Sequence, residues 1–166
     1  MNGDPSSPWL LLVLSLPTPS ATARMRVWRA LKALGCMALR DGAYLLPQGE
    51  GRDAALMEIA DDCTREGGVA WLVQARPRGA DDEASWRALF DRSGDYAELR
   101  KSWKEASRGL GKLGAAELAR LQRRVQREFG SIRAIDFFPG DASTEAEAAC
   151  AEFGKRIEAL LSPDEP

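Results

Sequence analysis

The sequence predicts an α+β fold: a β-α-β-β-α-β unit over residues 1–77, then a mostly helical portion over residues 78–166, the two forming one compact domain. Two observations carry this. Up to Val73, short apolar runs bounded by Pro, Gly or Asp-Gly alternate with amphipathic stretches of helical period. Past Pro77, apolar residues recur almost wholly at helical spacing. At 166 residues, 45% hydrophobic and 29% charged, the chain is long enough for one core with a helical appendage.

The first element is the apolar run 9–16, closed by Pro17 and read as a buried strand. With the following PTPSATA it imitates a secretory leader with a small-residue cleavage site at Ala21 and Ala23. Residues 1–7 hold no Lys or Arg and do hold Asp4, against the basic start such leaders carry. The run is also too short to span a bilayer. The expectation is therefore a protein that begins at or near Met1 and stays in the cytoplasm. Ser20 is a plausible N-cap for a first helix in which Val27, Trp28, Leu31 and Leu34 form the apolar face, ended by Gly35. Residues 36–39 and 43–46 flank Arg40-Asp41-Gly42, a hairpin or bulge signal, and give strands two and three. A second helix over residues 52–66 places Leu56, Ile59, Ala60 and Cys63 on one face and stops at Gly67-Gly68. Residues 69–73 are the fourth strand. This order is the split βαβ, or ferredoxin-like, arrangement.

Residues 78–83 read as a polar linker. Trp86, Leu89 and Phe90 give one apolar face beyond it; Tyr96, Leu99 and Trp103 give another. Glycines 109, 111 and 114 break the run before a helix over residues 115–129, ended by Gly130. Residues 132–138 read as a short strand bounded by Pro139-Gly140. Ser143 or Thr144 caps a last helix carrying Ala148, Ala149, Phe153, Ile157, Leu160 and Leu161. Trp28, Trp71, Trp86 and Trp103 all fall on apolar faces and are expected in the core.

The absence of histidine removes the commonest general base and the commonest transition-metal ligand. Cys36, Cys63 and Cys150 are odd in number, widely spaced and form no CxxC, so neither a disulfide framework nor a thiolate metal site is expected, in keeping with a reducing compartment. The net charge of −2 hides a segregation of charge. Residues 20–40 hold five bases and no acid, and residues 100–133 hold ten bases against three acids. Residues 50–66 carry six acids against two bases, and residues 141–166 seven against two. A bipolar molecule follows.

The stretch PWLLLVLSLPTPSATARMRVWRALKALGCMALRDGAYLLP resembles the opening of the N-terminal region of ChrB-family proteins, the chromate-resistance regulators. IRAIDFFPGD and the alanine- and glutamate-rich helix after it resemble the close of that region. The resemblance covers residues 9–161 and implies a bacterial regulator acting on chromate efflux genes in response to chromate. Longer family members continue into a second domain, whereas this sequence ends at Pro166. More distantly, the βαββαβ unit resembles the middle domain of the phenylacetate repressor PaaX and the small CRISPR-associated nucleases. The nucleases hold a divalent ion with an aspartate at the end of strand one; here that end reads Val13-Leu14-Ser15-Leu16-Pro17, and a hydroxyl does not replace a hard anionic ligand. The repressor binds DNA through a winged helix ahead of its unit, and only eight residues precede the first strand here.

DNA contact is therefore expected from basic helix faces. Arg26, Arg29 and Lys32 step along the first helix opposite its apolar face, with Arg24 and Arg40 near its ends. Arg120, Arg123, Arg124 and Arg127 lie opposite Leu118, Leu121 and Val125, with Arg133 beyond. Both faces would also suit plain solvation. The second is the better candidate, because four arginines within eight residues, with no acid between them, can neutralise several phosphates at once. For chromate, a tetrahedral dianion, the start of the first helix offers Thr18, Ser20, Thr22 and Arg24, a set that capping alone would also explain. Thiols can reduce chromate, but Cys36 and Cys63 sit on apolar faces and read as structural.

The reading is a non-enzymatic, DNA-binding transcriptional regulator of chromate resistance, with DNA as partner, chromate as effector, no cofactor, no metal and no membrane contact; a homodimer stays open. The alternative is a sensor or interaction module that needs a partner or a second domain to reach DNA, and the outsider is a metal-dependent nuclease.

Overall fold

The computed structural model describes residues 8–162. Residues 1–7, with Asp4 and no Lys or Arg ahead of the apolar run, lie outside the described residues, as do residues 163–166. The chain divides into two compact units after Leu89.

The first unit contains β1 (Trp9–Ser15), α1 (Ala21–Leu34), β2 (Met37–Arg40), β3 (Ala43–Pro47), α2 (Arg52–Arg65), β4 (Val69–Ala75) and α3 (Ala80–Ala88). Its antiparallel sheet has the order β2-β3-β1-β4, so the hydrophobic β1 is central, as its buried run requires. The registers Leu10↔Leu46 and Leu12↔Leu72 put these leucines on one face. Leu10, Leu12 and Leu46 are buried there together with Val27 and Leu31 of α1 and Leu56, Ala60 and Cys63 of α2. Gly35 ends α1 at φ 88°, and the Cys36 N–H closes back on the Leu31 carbonyl at 3.0 Å, so the glycine stop works through a left-handed cap. Asp41-Gly42 makes the expected turn, and the strand register shifts between Ala38 and Arg40, so hairpin and bulge coincide. Gly42 has φ +79°, and a Cβ there would stand 2.6 Å from the Leu14 carbonyl oxygen, so no other residue fits.

The opposite sheet face is less covered. At one end Trp9 packs edge-on against Trp86 of α3, centroids 5.6 Å apart, and donates Nε1–H to Glu83 at 3.1 Å. Along β4, however, Trp71 is 66% exposed, and Val69 and Val73 lie open beside it. The core assignment of Trp28 and Trp71 is therefore corrected: Trp28 is 46% exposed, outside the buried stripe of Ala23, Val27 and Leu31. A period-2 run gives two faces but does not say which one a helix will cover. The linker at 78–83 is likewise shorter than expected. Helix α3 starts at Ala80, where Asp81, Asp82 and Glu83 suit the positive end of a helix.

The second unit holds α4 (Ser93–Ser107), a 3₁₀ turn at Leu110–Lys112, α5 (Ala115–Ala134) and α6 (Asp141–Leu161). Its core joins Trp103, Leu110, Leu118, Val125, Phe153 and Ile157. Phe90 meets Phe137 and Phe138 edge-on at 5.8 and 6.2 Å. The strand expected at 132–138 is absent: α5 continues through Gly130 to Ala134, and a turn follows. The physical reason is that Leu118, Leu121, Val125, Phe129 and Ile132 keep helical spacing, and one exposed glycine costs a helix only about 1 kcal/mol. Helix α6 also begins earlier than expected, at Asp141 after Gly140, and Ser143 is buried inside its first turn rather than capping it. Of the apolar residues assigned to α6, Phe153 and Ile157 are buried, while Ala148, Leu160 and Leu161 are exposed.

The α+β class is thus the observed one, a four-stranded antiparallel sheet followed by helices. No helix among the described residues is long and apolar enough to cross a membrane.

Candidate functional site

Helix α5 is the centre of the site. Its inward stripe, Leu118 and Val125 with half-buried Leu121, packs into the core of the second unit. That anchoring fixes the rotation of the helix and turns Arg120, Arg123, Arg124 and Arg127 outward, all exposed, within an arc of about 100° at 3.6 residues per turn. Arg124 Nε reaches Glu128 Oε1 at 3.1 Å, one turn on. That acid lies just past the arginine run, and its i,i+4 spacing from Arg124 is the signal in the sequence that finds the pair. Among the described residues, Arg120, Arg123 and Arg127 have no such carboxylate partner. Arg133, placed with them from sequence, does not join the arc; it turns away and donates Nη1–H to the Asp136 carbonyl at 3.3 Å. Among the described residues three guanidinia without a carboxylate partner leave this side of α5 positively charged.

The α1 face is reduced further. Arg26 donates from Nε and Nη2 to the two Asp62 oxygens and from Nη2 to Glu66, each at 3.0 Å, which ties α1 to α2. The guanidinium hydrogen bond holds the Asp62 carboxyl below its ordinary range. Lys32 lies 4.9 Å over the Trp28 ring, and Arg29 is exposed. Sequence spacing puts Arg26 outward correctly; its acidic partners lie 36 and 40 residues away and only the packing of two helices brings them in.

Thr18, Ser20, Thr22 and Arg24 share the entry to α1. The Ser20 side chain makes no capping hydrogen bond, and Arg24 Nη2 donates back to the Leu16 carbonyl at 3.4 Å. Cys63 is buried, with Sγ 3.7 Å from the Ser15 and Val69 carbonyl oxygens. Burial pushes the Cys36 thiol up to about 12, and it also raises Cys63 and Cys150, so none is poised as a thiolate. Among the described residues no group of three or more Cys, Asp or Glu is arranged to hold a metal ion.

A buried polar set missed from sequence lies in the second unit. Tyr96 donates its hydroxyl hydrogen to Asp136 Oδ2 at 2.8 Å, and both residues are buried. Its partners come from α4 and from the turn after α5, 40 residues apart, so no local pattern announces it.

The family described as "Protein ChrB, N-terminal" matches residues 24–160. Over its whole length the chain is 49% identical to "Protein ChrB" of Cupriavidus metallidurans (strain CH34). It spans about half of that relative, 52% of its length.

Proposed function

Because the chain belongs to the ChrB family, through its N-terminal region, we propose that it is a cytoplasmic DNA-binding regulator of chromate resistance that acts on efflux genes without enzymatic chemistry of its own. The observation that carries this reading is the α5 face, where Arg120, Arg123 and Arg127 stand exposed and, among the described residues, without carboxylate partners. A helix that holds like charges three and four residues apart gains when an anion comes to rest on it, and a DNA backbone supplies phosphates in a row. Arg29 and Lys32 of α1 are secondary candidates, while Arg26, already paired twice, contributes to the fold. Chromate is the effector on this reading.

The test is a mobility shift of the chromate-resistance promoter with the purified chain, with and without chromate, over a range of salt. The expected result is binding that weakens steeply with salt and changes with chromate. Salt-insensitive or absent binding refutes DNA contact by this chain and favours the interaction module, which reaches DNA through a partner or through the length of the relative that this chain does not span.

A further inference from the structure

The four-stranded sheet has two edges, and only one of them is protected against further pairing. Strand β2 is four residues long, is broken by the register shift between Ala38 and Arg40, and ends on a charge. Short length, a bulge and a charged side chain are devices that keep an edge from adding another strand. Strand β4, the other edge, has none of them. Its seven residues, Val69–Ala75, read VAWLVQA, pair with β1 in an unbroken register, and hold neither a charge nor a proline. Among the described residues β1 is the one strand that pairs with it. In an antiparallel edge strand alternate residues turn N–H and C=O outward, away from the sheet. On the open face of β4, Val69, Trp71 and Val73 are 54%, 66% and 45% exposed, and Val13 of β1 stands next to Trp71 in the register.

Parity decides what suits such an edge. When β4 pairs antiparallel with a second β4 about a two-fold axis, the two facing positions are both odd or both even, because only residues of one parity present the same side of the backbone. Residues 69, 71, 73 and 75 of one copy then meet the same set of the other on a common face, whichever residue lies nearest the axis. Aromatic and β-branched side chains opposite one another are favourable cross-strand pairs, and an uncharged strand brings no like charges together in any register. A strand of unrelated pattern offers no such match.

We propose that β4 is a homodimerisation edge: two copies of this chain join β4 to β4 antiparallel about a two-fold axis, forming one eight-stranded sheet with a shared stripe of Val69, Trp71 and Val73. Seven residues at about 3.4 Å each give an edge about 24 Å long, and with α2 packed on one side of β4 and the stripe on the other its depth is about 15–20 Å. The contact is then about 400 Å² per copy and about 800 Å² in all, below the roughly 1,200–2,000 Å² of stable complexes and within the range of transient ones. A reversible dimer is what that area supports. The outer side of the stripe stays in solvent, since edges and not faces are joined.

The test is sedimentation velocity of the full chain from about 1 to about 300 μM, the range in which a weak dimer forms and dissociates. A rise from 18.1 kDa towards twice that mass with concentration is expected. Trp71→Lys and Trp71→Glu each put a charge at an exposed position in the middle of the stripe, and each alone is expected to weaken self-association about tenfold or more, as like charges then face each other. An equimolar mixture of the two variants is expected to associate again through opposite charges, a recovery that a folding defect would not allow. In the wild type, amide hydrogen exchange over residues 69–75 is expected to slow as concentration rises while residues 37–40 of β2 keep their rate, a readout that stands even where the variants misfold. A monomer at every concentration overturns the proposal and leaves the edge to a strand of a different chain. A dimer that both variants keep, or one that forms without slower exchange in β4, overturns it as well, because the copies then meet elsewhere. A mixture that stays monomeric while both variants are folded overturns the two-fold pairing. None of these results bears on the α5 reading, whose readout is the salt dependence of promoter binding.

Discussion

Replacing Arg120, Arg123 and Arg127 together by glutamine removes the three α5 guanidinia that have no carboxylate partner among the described residues and leaves the Arg124–Glu128 pair in place. Glutamine matches arginine closely in helix propensity, and the three positions are exposed, so stability should stay within about 0.5 kcal/mol of wild type. Each phosphate neutralised on duplex DNA contributes about 0.9 to the slope of log affinity against log salt, so the variant's slope should be shallower by about 2.7. Between about 50 and 200 mM salt, wild type should therefore lose about 40-fold more affinity than the variant. Arg124→Gln alone should change the slope by less than any one of the three, because Glu128 already neutralises that charge. Mobility shifts or anisotropy titrations at four salt concentrations, with urea unfolding alongside, give both quantities. An unchanged slope in the triple variant would falsify the assignment of α5 as the DNA face. Unfolding of the variant would show instead that the arginines hold the helix in place, against their exposure.

Tyr96→Phe removes the buried donor to Asp136 and is expected to cost about 1–3 kcal/mol in urea unfolding with unchanged m; a loss below about 0.5 kcal/mol would mean that the contact is not maintained in solution. Burial raises the Cys36 thiol from an ordinary 9.0 to about 12. Above pH 9 the unfolded chain releases this proton before the folded one does, so the contribution is full below about pH 9 and is lost as pH rises towards about 12. Cys36→Ala should flatten that decline, and parallel unfolding curves for the two proteins would contradict the burial argument. The exposed Trp71 predicts a fluorescence component open to iodide quenching that Trp71→Phe reduces; equal quenching in both proteins would mean that this sheet face is covered in solution. Purified protein with magnesium or manganese is expected to leave DNA and RNA intact, since Ser15 stands where the nuclease reading needs a carboxylate; metal-dependent cleavage that survives purification would reverse this.

Much of the first unit was legible because its signals are local. Gly35 and Gly42 are stops and turns that only a residue tolerant of positive φ can make, and they sit where the apolar period changes. The Leu118, Leu121 and Val125 stripe likewise dictated which way α5 turns its arginines, because burying one side of a helix exposes the other. The strand expected at 132–138 is absent for a reason of the same kind: a glycine such as Gly130 signals a stop, but the helical period of the apolar residues runs through it.

Tertiary structure decided what depends on distant partners. Arg26 became an α1–α2 tie because Asp62 and Glu66 are brought to it from another helix, and Tyr96 found Asp136 across 40 residues. Trp71 stayed exposed while Trp9 was buried, although both alternate on the same sheet face, because α3 covers one end of that face and leaves the other open. Arg156 of α6 likewise reaches the Ser107 carbonyl at the end of α4, 49 residues away, only once the two helices pack. Period and glycine placement act over a few residues and can be read directly from sequence. Pairing and exposure depend on which surfaces meet, and that is settled by the summed burial of the whole unit rather than by any one segment.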